Sequence, residues 1–137
     1  MTEKILIVED EKLLNEAYEL ILKNHGYRTK VAHDGCEALQ IVKSFDPDLI
    51  LLDLRMPKMS GIDFLKEYKL SEYHPKVKVI VFSNLDTQSE IDEAFDLGAQ
   101  KYMLKAWASP KELLKLVADT LKTDNPQTPI NEAKNSN

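Results

Sequence analysis

The stretch DLILLDLRMPKMSG, Asp48 to Gly61, decides the fold. Its opening segment reads as a strand over Asp48–Leu52, with four successive aliphatic residues and then a second acid, Asp53. A strand with one wet face alternates apolar and polar residues, so an unbroken aliphatic run points to burial on both faces. Ile5–Val8 and Val77–Phe82 have the same character. Tyr27–Ala32 and Lys101–Leu104 are weaker strand candidates and are expected nearer the sheet edges.

Helical patterns fill the gaps between these runs. Leu13, Ala17, Leu20, Ile21 and Asn24 recur at helical spacing, and His25-Gly26 closes that segment. Ala38, Leu39 and Val42 mark a second helix that stops near Asp46-Pro47. Ile62, Leu65 and Tyr68 mark a third, and Ile91, Ala94 and Phe95 a fourth. The fifth has the clearest start: Ser109 as N-cap, Pro110 at the first helical position and Glu112 completing a capping box. Leu113, Leu114, Val117 and Leu121 supply its buried stripe. Five buried strands alternating with five helices imply an α/β fold, a parallel sheet covered on both sides. After Thr123 the pattern dissolves into a polar segment with two prolines. The expected division is therefore one domain over residues 1–122 and a disordered tail or linker over 123–137.

Composition narrows the function classes. The 137 residues contain 23 Asp and Glu against 18 Lys and Arg, a formal charge of −5. That balance gives no general electrostatic reason to bind nucleic acid, and Trp107 with Tyr102 is too little aromatic surface for a single-strand stacking platform. A lone Cys36 excludes an intrachain disulfide and suits a reducing, cytoplasmic setting. Acidic residues interrupt the opening MTEKILIVED where a secretory signal needs an apolar run, and no stretch approaches a membrane span. Glycine-rich phosphate loops and zinc-binding Cys or His patterns are missing. His25, His33 and His74 are scattered, and surface or turn roles are expected for them.

The chemistry-bearing residues collect where open α/β sheets bind ligands, beyond the carboxyl ends of the strands. Glu9 and Asp10 follow the first strand, Asp53 ends the third, Ser83 and Asn84 follow the fourth, and Lys105 follows the fifth. Asp10 alone could be a helix cap, but capping does not explain the set. Converging carboxylates repel one another unless a cation compensates, and a hard divalent ion such as Mg²⁺, or Mn²⁺, accepts such oxygens. Asp10 and Asp53 are candidate direct ligands, Glu9 a ligand directly or through water, and the backbone carbonyl of Arg55 a further oxygen. Lys105 and the Ser83 hydroxyl suit phosphoryl oxygens, and an Asp carboxylate can act as nucleophile toward phosphorus.

With these motifs in order, the chain resembles the CheY-like response-regulator receiver family of two-component signalling. The resemblance runs from Lys4 to Leu121. It is carried by ILIVED, by LILLDLRMPKMSG with Asp53, Met56, Pro57 and Gly61, by VIVFSN with Ser83, and by FDLGAQKYMLK with Gly98, Ala99, Tyr102 and Lys105. It implies a flavodoxin-like, doubly wound five-stranded sheet in the order 2-1-3-4-5. It also implies Asp53 as phosphoacceptor, Glu9 and Asp10 as holders of the metal, Lys105 on the phosphoryl group, and Ser83 with Tyr102 as the switch. Tyr102 has a structural alternative as a strand-edge aromatic.

Implied partners are a sensor histidine kinase or histidine phosphotransfer protein upstream. Downstream, the resemblance implies a protein target or a second copy, engaged through the face made by the fourth helix, fifth strand and fifth helix. Such a domain is a phosphoacceptor rather than a turnover enzyme. The rival readings are a phosphorylation-independent adaptor and a small hydrolase, the latter lacking an evident further acid or base. Two residues depart from the family pattern. Ala106 replaces the proline usual after the lysine, so a trans Lys105–Ala106 bond is expected. Asn84 replaces a smaller residue and is expected to crowd the phosphoryl site.

Overall fold

The computed structural model describes residues 2–84 and 88–123. Five strands, β1 (Lys4–Val8), β2 (Arg28–Ala32), β3 (Leu49–Asp53), β4 (Lys78–Ser83) and β5 (Lys101–Leu104), form one sheet in the order β2-β1-β3-β4-β5. Every neighbouring pair is parallel. The helices are α1 (Lys12–Asn24), α2 (Gly35–Phe45), α3 (Gly61–Tyr68), α4 (Leu70–Tyr73), α5 (Gln88–Asp96) and α6 (Pro110–Lys122), with a 3₁₀ turn over Lys105–Trp107.

The two-residue period of a strand explains the aliphatic runs. Ile5, Ile7, Leu49, Leu51, Ile80 and Phe82 face the side covered by α1 and α6, where they meet Tyr18, Leu22, Leu113 and Val117. Leu6, Val8, Ile50, Leu52, Val79 and Val81 face the other side and pack with residues of α2, α3, α4 and α5. A fully buried aliphatic side chain contributes roughly 1.5–3 kcal/mol. The three central strands thus supply the stabilisation that burial of charged groups at their ends draws upon. β2 and β5 are the edges, as expected, and β2 alternates exposed and covered positions.

The structure adds one helix to the sequence reading and turns the buried face of another. The third helical segment stops at Tyr68, because Lys69 adopts a left-handed backbone (φ 56°), and the chain resumes as the short α4. No glycine or proline marks that break; Leu70, 2 % exposed, holds it by packing beneath Gly98. On α1 the expected stripe is rotated. Leu13 and Leu20 are 83 % and 61 % exposed, while Asn15, Tyr18 and Leu22 are buried. The helix carries more apolar residues than one face can use, and the polar Asn15 is taken inside by hydrogen bonding described below.

The remaining boundaries follow their local signals. Asp46, with φ 53°, ends α2 just before Pro47. Ser109 caps α6 by accepting from the Glu112 N–H, with Pro110 opening the helix. Beyond Thr123, the expected tail lies outside the described residues. No described helix is long and apolar enough to cross a membrane.

Candidate functional site

Strand register brings the site together. Val8 pairs with Leu52 and Asp53 with Phe82, so Glu9 and Asp53 each stand one residue beyond the same sheet level. Ser83 pairs with Leu104, and Lys105 follows immediately. The exit of β1 is pinned by the Asn15 side-chain amide, which donates to the carbonyls of Glu9 (2.8 Å) and Ala32 (3.0 Å). Behind Asp53 the chain is equally tight. A Cβ on Gly61 would lie 2.4 Å from the Asp53 carbonyl oxygen, a contact real Cβ atoms do not make, so only glycine lets α3 start there. Gly61 also donates its N–H to the Leu54 carbonyl at 3.0 Å.

Lys105 Nζ lies 2.7 Å from Glu9 Oε1 and 2.9 Å from Asp53 Oδ2, with Glu11 Oε1 more distant at 3.9 Å. Lys105 and its two close partners are almost wholly buried: 6 % of the Lys105 side chain, 2 % of Glu9 and 5 % of Asp53 are exposed. The remaining carboxylate oxygens accept backbone N–H groups, Glu9 Oε2 from Glu11 (3.0 Å) and Asp53 Oδ1 from Arg55 (3.2 Å). Burial pushes the Glu9 carboxyl up to about 7, against the lowering effect of its bond to Lys105. Burial likewise raises Asp53, opposed by Lys105. Burial alone would lower Lys105, but its hydrogen bonds to Glu9 and Asp53 together outweigh it and raise the ammonium. One cation is thus shared between two buried carboxylates, which leaves the cluster short of positive charge.

Glu9, Asp10 and Asp53 each offer a carboxylate oxygen, all within 4.8 Å of one another. Three carboxylates gathered beside a single ammonium are a donor set that would suit a hard divalent cation. The donor set is all oxygen, which favours Mg²⁺ or Mn²⁺ over softer metals. Asp10 does not serve as the cap of α1: the N-cap is Glu11, and it makes no side-chain capping bond. The capping alternative therefore falls away.

A pocket of about 230 Å³ opens over the cluster, lined by Asp10, Glu11, Asp53, Arg55, Ser83, Asn84 and Lys105. Ser83 is buried at the end of β4, and Asn84 stands exposed at the rim. Tyr102 is not in the pocket; it is partly buried on β5 and packs against the core under α2 to α5. The Lys105–Ala106 bond is trans, as expected, since no cis peptide occurs among the described residues. The 3₁₀ turn that follows still delivers the ammonium to both carboxylates. None of the histidines lines the pocket: His25 ends α1, His33 meets Glu37, and His74 stacks on Tyr68 at 4.1 Å. A larger groove of about 340 Å³ between α3, α4 and the end of α5 lacks a comparable cluster of reactive groups.

Sequence reasoning missed two contributors. Glu11 reaches the pocket, and its signal was the unbroken acidic triplet Glu9-Asp10-Glu11. Asn15 fixes the backbone beneath Glu9, and its only signal was a polar residue inside an otherwise apolar helix face.

Comparison with known proteins adds an independent line. The sequence model of the response regulator receiver domain matches residues 5–118. Response regulator MprA of Mycobacterium tuberculosis is 32% identical over 127 residues, covering 93% of this chain and 54% of MprA. The chain thus spans about half the length of the curated relatives it matches. Among solved structures, a CheY-like receiver domain protein from Methanospirillum hungatei superposes with a TM-score of 0.82 at 25% identity, covering 88% of this chain and 94% of that one. The Vibrio cholerae chemotaxis protein CheY4 gives 0.81 at 25% identity, with 88% and 99% covered. Members of this family act as phosphoacceptors in two-component signalling rather than as classical turnover enzymes. Sequence, sheet order and buried acidic cluster agree: the chain belongs to the CheY-like response regulator receiver domain family.

Proposed function

We propose that residues 1–122 act as a phosphoacceptor switch, with Asp53 as the acceptor and residues 123–137 as a tail or linker. The observation that carries this reading is the shared lysine: Lys105 holds Asp53 and Glu9 together in a buried site that has more carboxylate than cation. An Asp53 carboxylate oxygen attacks phosphorus of a phosphohistidine on a kinase or phosphotransfer protein. The new bond is an acyl phosphate; the phosphorus–nitrogen bond breaks, and the imidazole leaves with a proton from solvent.

Glu9, Asp10, Asp53 and the Arg55 carbonyl would hold the divalent cation, which neutralises charge on the transferring group when bound. Lys105 stays on Asp53 and meets a phosphoryl oxygen, while the Ser83 hydroxyl donates to another. Ser83 and Tyr102 then carry the change to the face made by α5, β5 and α6, where a downstream protein or a second copy binds. The acidic balance and single Cys36 suit a cytoplasmic site of action.

The test is intact-mass spectrometry after incubation with acetyl phosphate or a phosphorylated histidine donor. One hydroxylamine-labile phosphoryl adduct is expected with Mg²⁺, none with chelator and none on Asp53→Asn. No adduct on the folded wild type with either donor, together with no measurable Mg²⁺ binding, would favour the adaptor reading instead.

A further inference from the structure

Arg55 follows Asp53 by two residues, and its guanidinium reaches α5. Arg55 Nε lies 3.2 Å from Glu90 Oε1 and Arg55 Nη2 3.0 Å from Glu90 Oε2, a two-pronged pair between residues 35 apart in sequence. The pair is solvent-facing, with 54 % of the Arg55 side chain and 31 % of Glu90 exposed. Arg55 nonetheless lines the pocket, and its own N–H donates to Asp53 Oδ1. A single side chain therefore adjoins the acceptor at its root and fastens α5 at its tip.

We propose that Arg55 is a two-position cation: it is clamped to Glu90 in the resting chain and turns to the phosphoryl group once Asp53 carries one, releasing the first turn of α5. The inference rests on the proposed phosphoacceptor role and adds the residue that reports the event to α5. Lys105 is already shared between Glu9 and Asp53, so only part of its charge is left for the phosphoryl oxygen it meets. The acyl phosphate carries about −1.5 to −2 charges where the carboxylate carried one, and spreads them over three oxygens in a partly enclosed pocket, where attraction is screened less than at the surface. The guanidinium fork fits phosphoryl oxygens in the same bidentate manner as it fits the Glu90 carboxylate. An exposed ion pair holds weakly by comparison, so the exchange runs toward the phosphoryl group.

Glu90 stays compatible with helix after release, because an acid in the first turn meets the positive end of the helix dipole. What α5 loses is its tie to the loop after β3. α5 also packs on α3 and on the core that holds Tyr102, so the released turn lies on the same layer as the proposed output face.

The test is a double-mutant cycle on the rate of adduct formation from acetyl phosphate with Mg²⁺, using Arg55→Ala, Arg55→Lys, Glu90→Gln and the double variant Arg55→Ala/Glu90→Gln. Arg55→Ala is expected to slow uptake about tenfold, with Arg55→Lys in between. Glu90→Gln, which removes the carboxylate that competes for the guanidinium, is expected to speed it about threefold. Glu90→Gln should change nothing in the Arg55→Ala background, and the two single variants should move the rate in opposite directions, whereas a merely structural pair would give both the same sign. Amide exchange over residues 88–92 provides the second readout. It should quicken when beryllium fluoride and Mg²⁺ bind the wild type, and should already be fast in resting Glu90→Gln. Equal uptake rates in all variants, or unchanged exchange at residues 88–92 in a wild type that forms the adduct, overturn the two-position cation alone. A folded wild type that forms no adduct overturns the phosphoacceptor reading, and this inference with it.

Discussion

Asp48 and Asp53 flank the same run of four aliphatic residues, and their surroundings could hardly differ more. Asp48 is exposed at the amino end of β3. Its carboxylate accepts the Lys4 N–H at 2.8 Å, its N–H donates to the Lys4 carbonyl, and its carbonyl accepts the Lys78 N–H. It fastens the starts of β1 and β4 to β3. Asp53, 5 % exposed, faces a second buried acid and a lysine and is pushed toward protonation by burial.

The lysines repeat the contrast. Lys78, at the amino end, gives its ammonium to the Leu121 and Thr123 carbonyls and so caps α6, a job of surface fastening. Lys105, at the carboxyl end, is enclosed between Glu9 and Asp53. Identical residue types become fasteners at one end of the sheet and members of a buried charge cluster at the other. The difference is burial without full charge compensation.

The largest expected effect of breaking that contrast is at the lysines. Lys105→Met leaves two buried acids without their counter-charge and should cost about 3 kcal/mol of unfolding free energy at pH 8. Denaturant titration should show the loss shrinking toward pH 5, as the carboxyls take up protons. Lys78→Met should cost about 1 kcal/mol and show no such pH trend, since it removes only cap hydrogen bonds. Equal losses with equal pH dependence would mean the two ends are not electrostatically distinct.

A smaller effect is expected behind Asp53. Gly61→Ala places a methyl against the Asp53 carbonyl and should cost about 1–3 kcal/mol while slowing adduct formation, read by denaturant titration and mass spectrometry on the same sample. An alanine variant with wild-type stability and uptake would show that the close approach does not hold Asp53 in place.

A third effect concerns protons and is read as a slope against pH. Glu9 has its folded pKa raised from 4.5 to about 7, so between those values the folded chain binds more protons than the unfolded one. Stability of the metal-free chain therefore falls as pH rises through that window. Thermal melting from pH 4.5 to 7.5 should show a shallower fall for Glu9→Gln, and also for the wild type saturated with Mg²⁺, because the cation takes the place of the proton. A wild-type slope no steeper than that of Glu9→Gln would remove Glu9 from the buried charge balance.

Much of this was legible in the residues, for reasons that differ by element. The central strands declared themselves because burial on both faces leaves no polar position in Leu49–Leu52 or Val79–Phe82. The site was legible because it gathers at strand ends, where sequence position nearly fixes spatial position. The inner face of α1 was not legible. Leu13 and Leu20 compete with Leu22 for the core, and the choice is settled by Asn15 reaching two carbonyls, one of them on β2. The break at Lys69 escaped for a related reason: a lysine in a left-handed turn is held there by Leu70 and Gly98, a contact between distant parts of the chain. Arg55 was read for its backbone carbonyl, and its pairing with Glu90, 35 residues away, is one that no local pattern encodes.

The two ends of β3 also supply the most direct test. Cleavage after Lys43 and Arg55 releases SFDPDLILLDLR, a single peptide that carries Asp46, Asp48 and Asp53 together. The chain would be treated with acetyl phosphate and Mg²⁺, reduced with borohydride to convert an acyl phosphate to homoserine, digested, and sequenced by fragment-ion mass spectrometry. Homoserine at position 53, with Asp46 and Asp48 unaltered, is the expected result. Homoserine at 46 or 48, or spread over the three, would contradict the claim that burial at the carboxyl end of β3 makes Asp53 the acceptor.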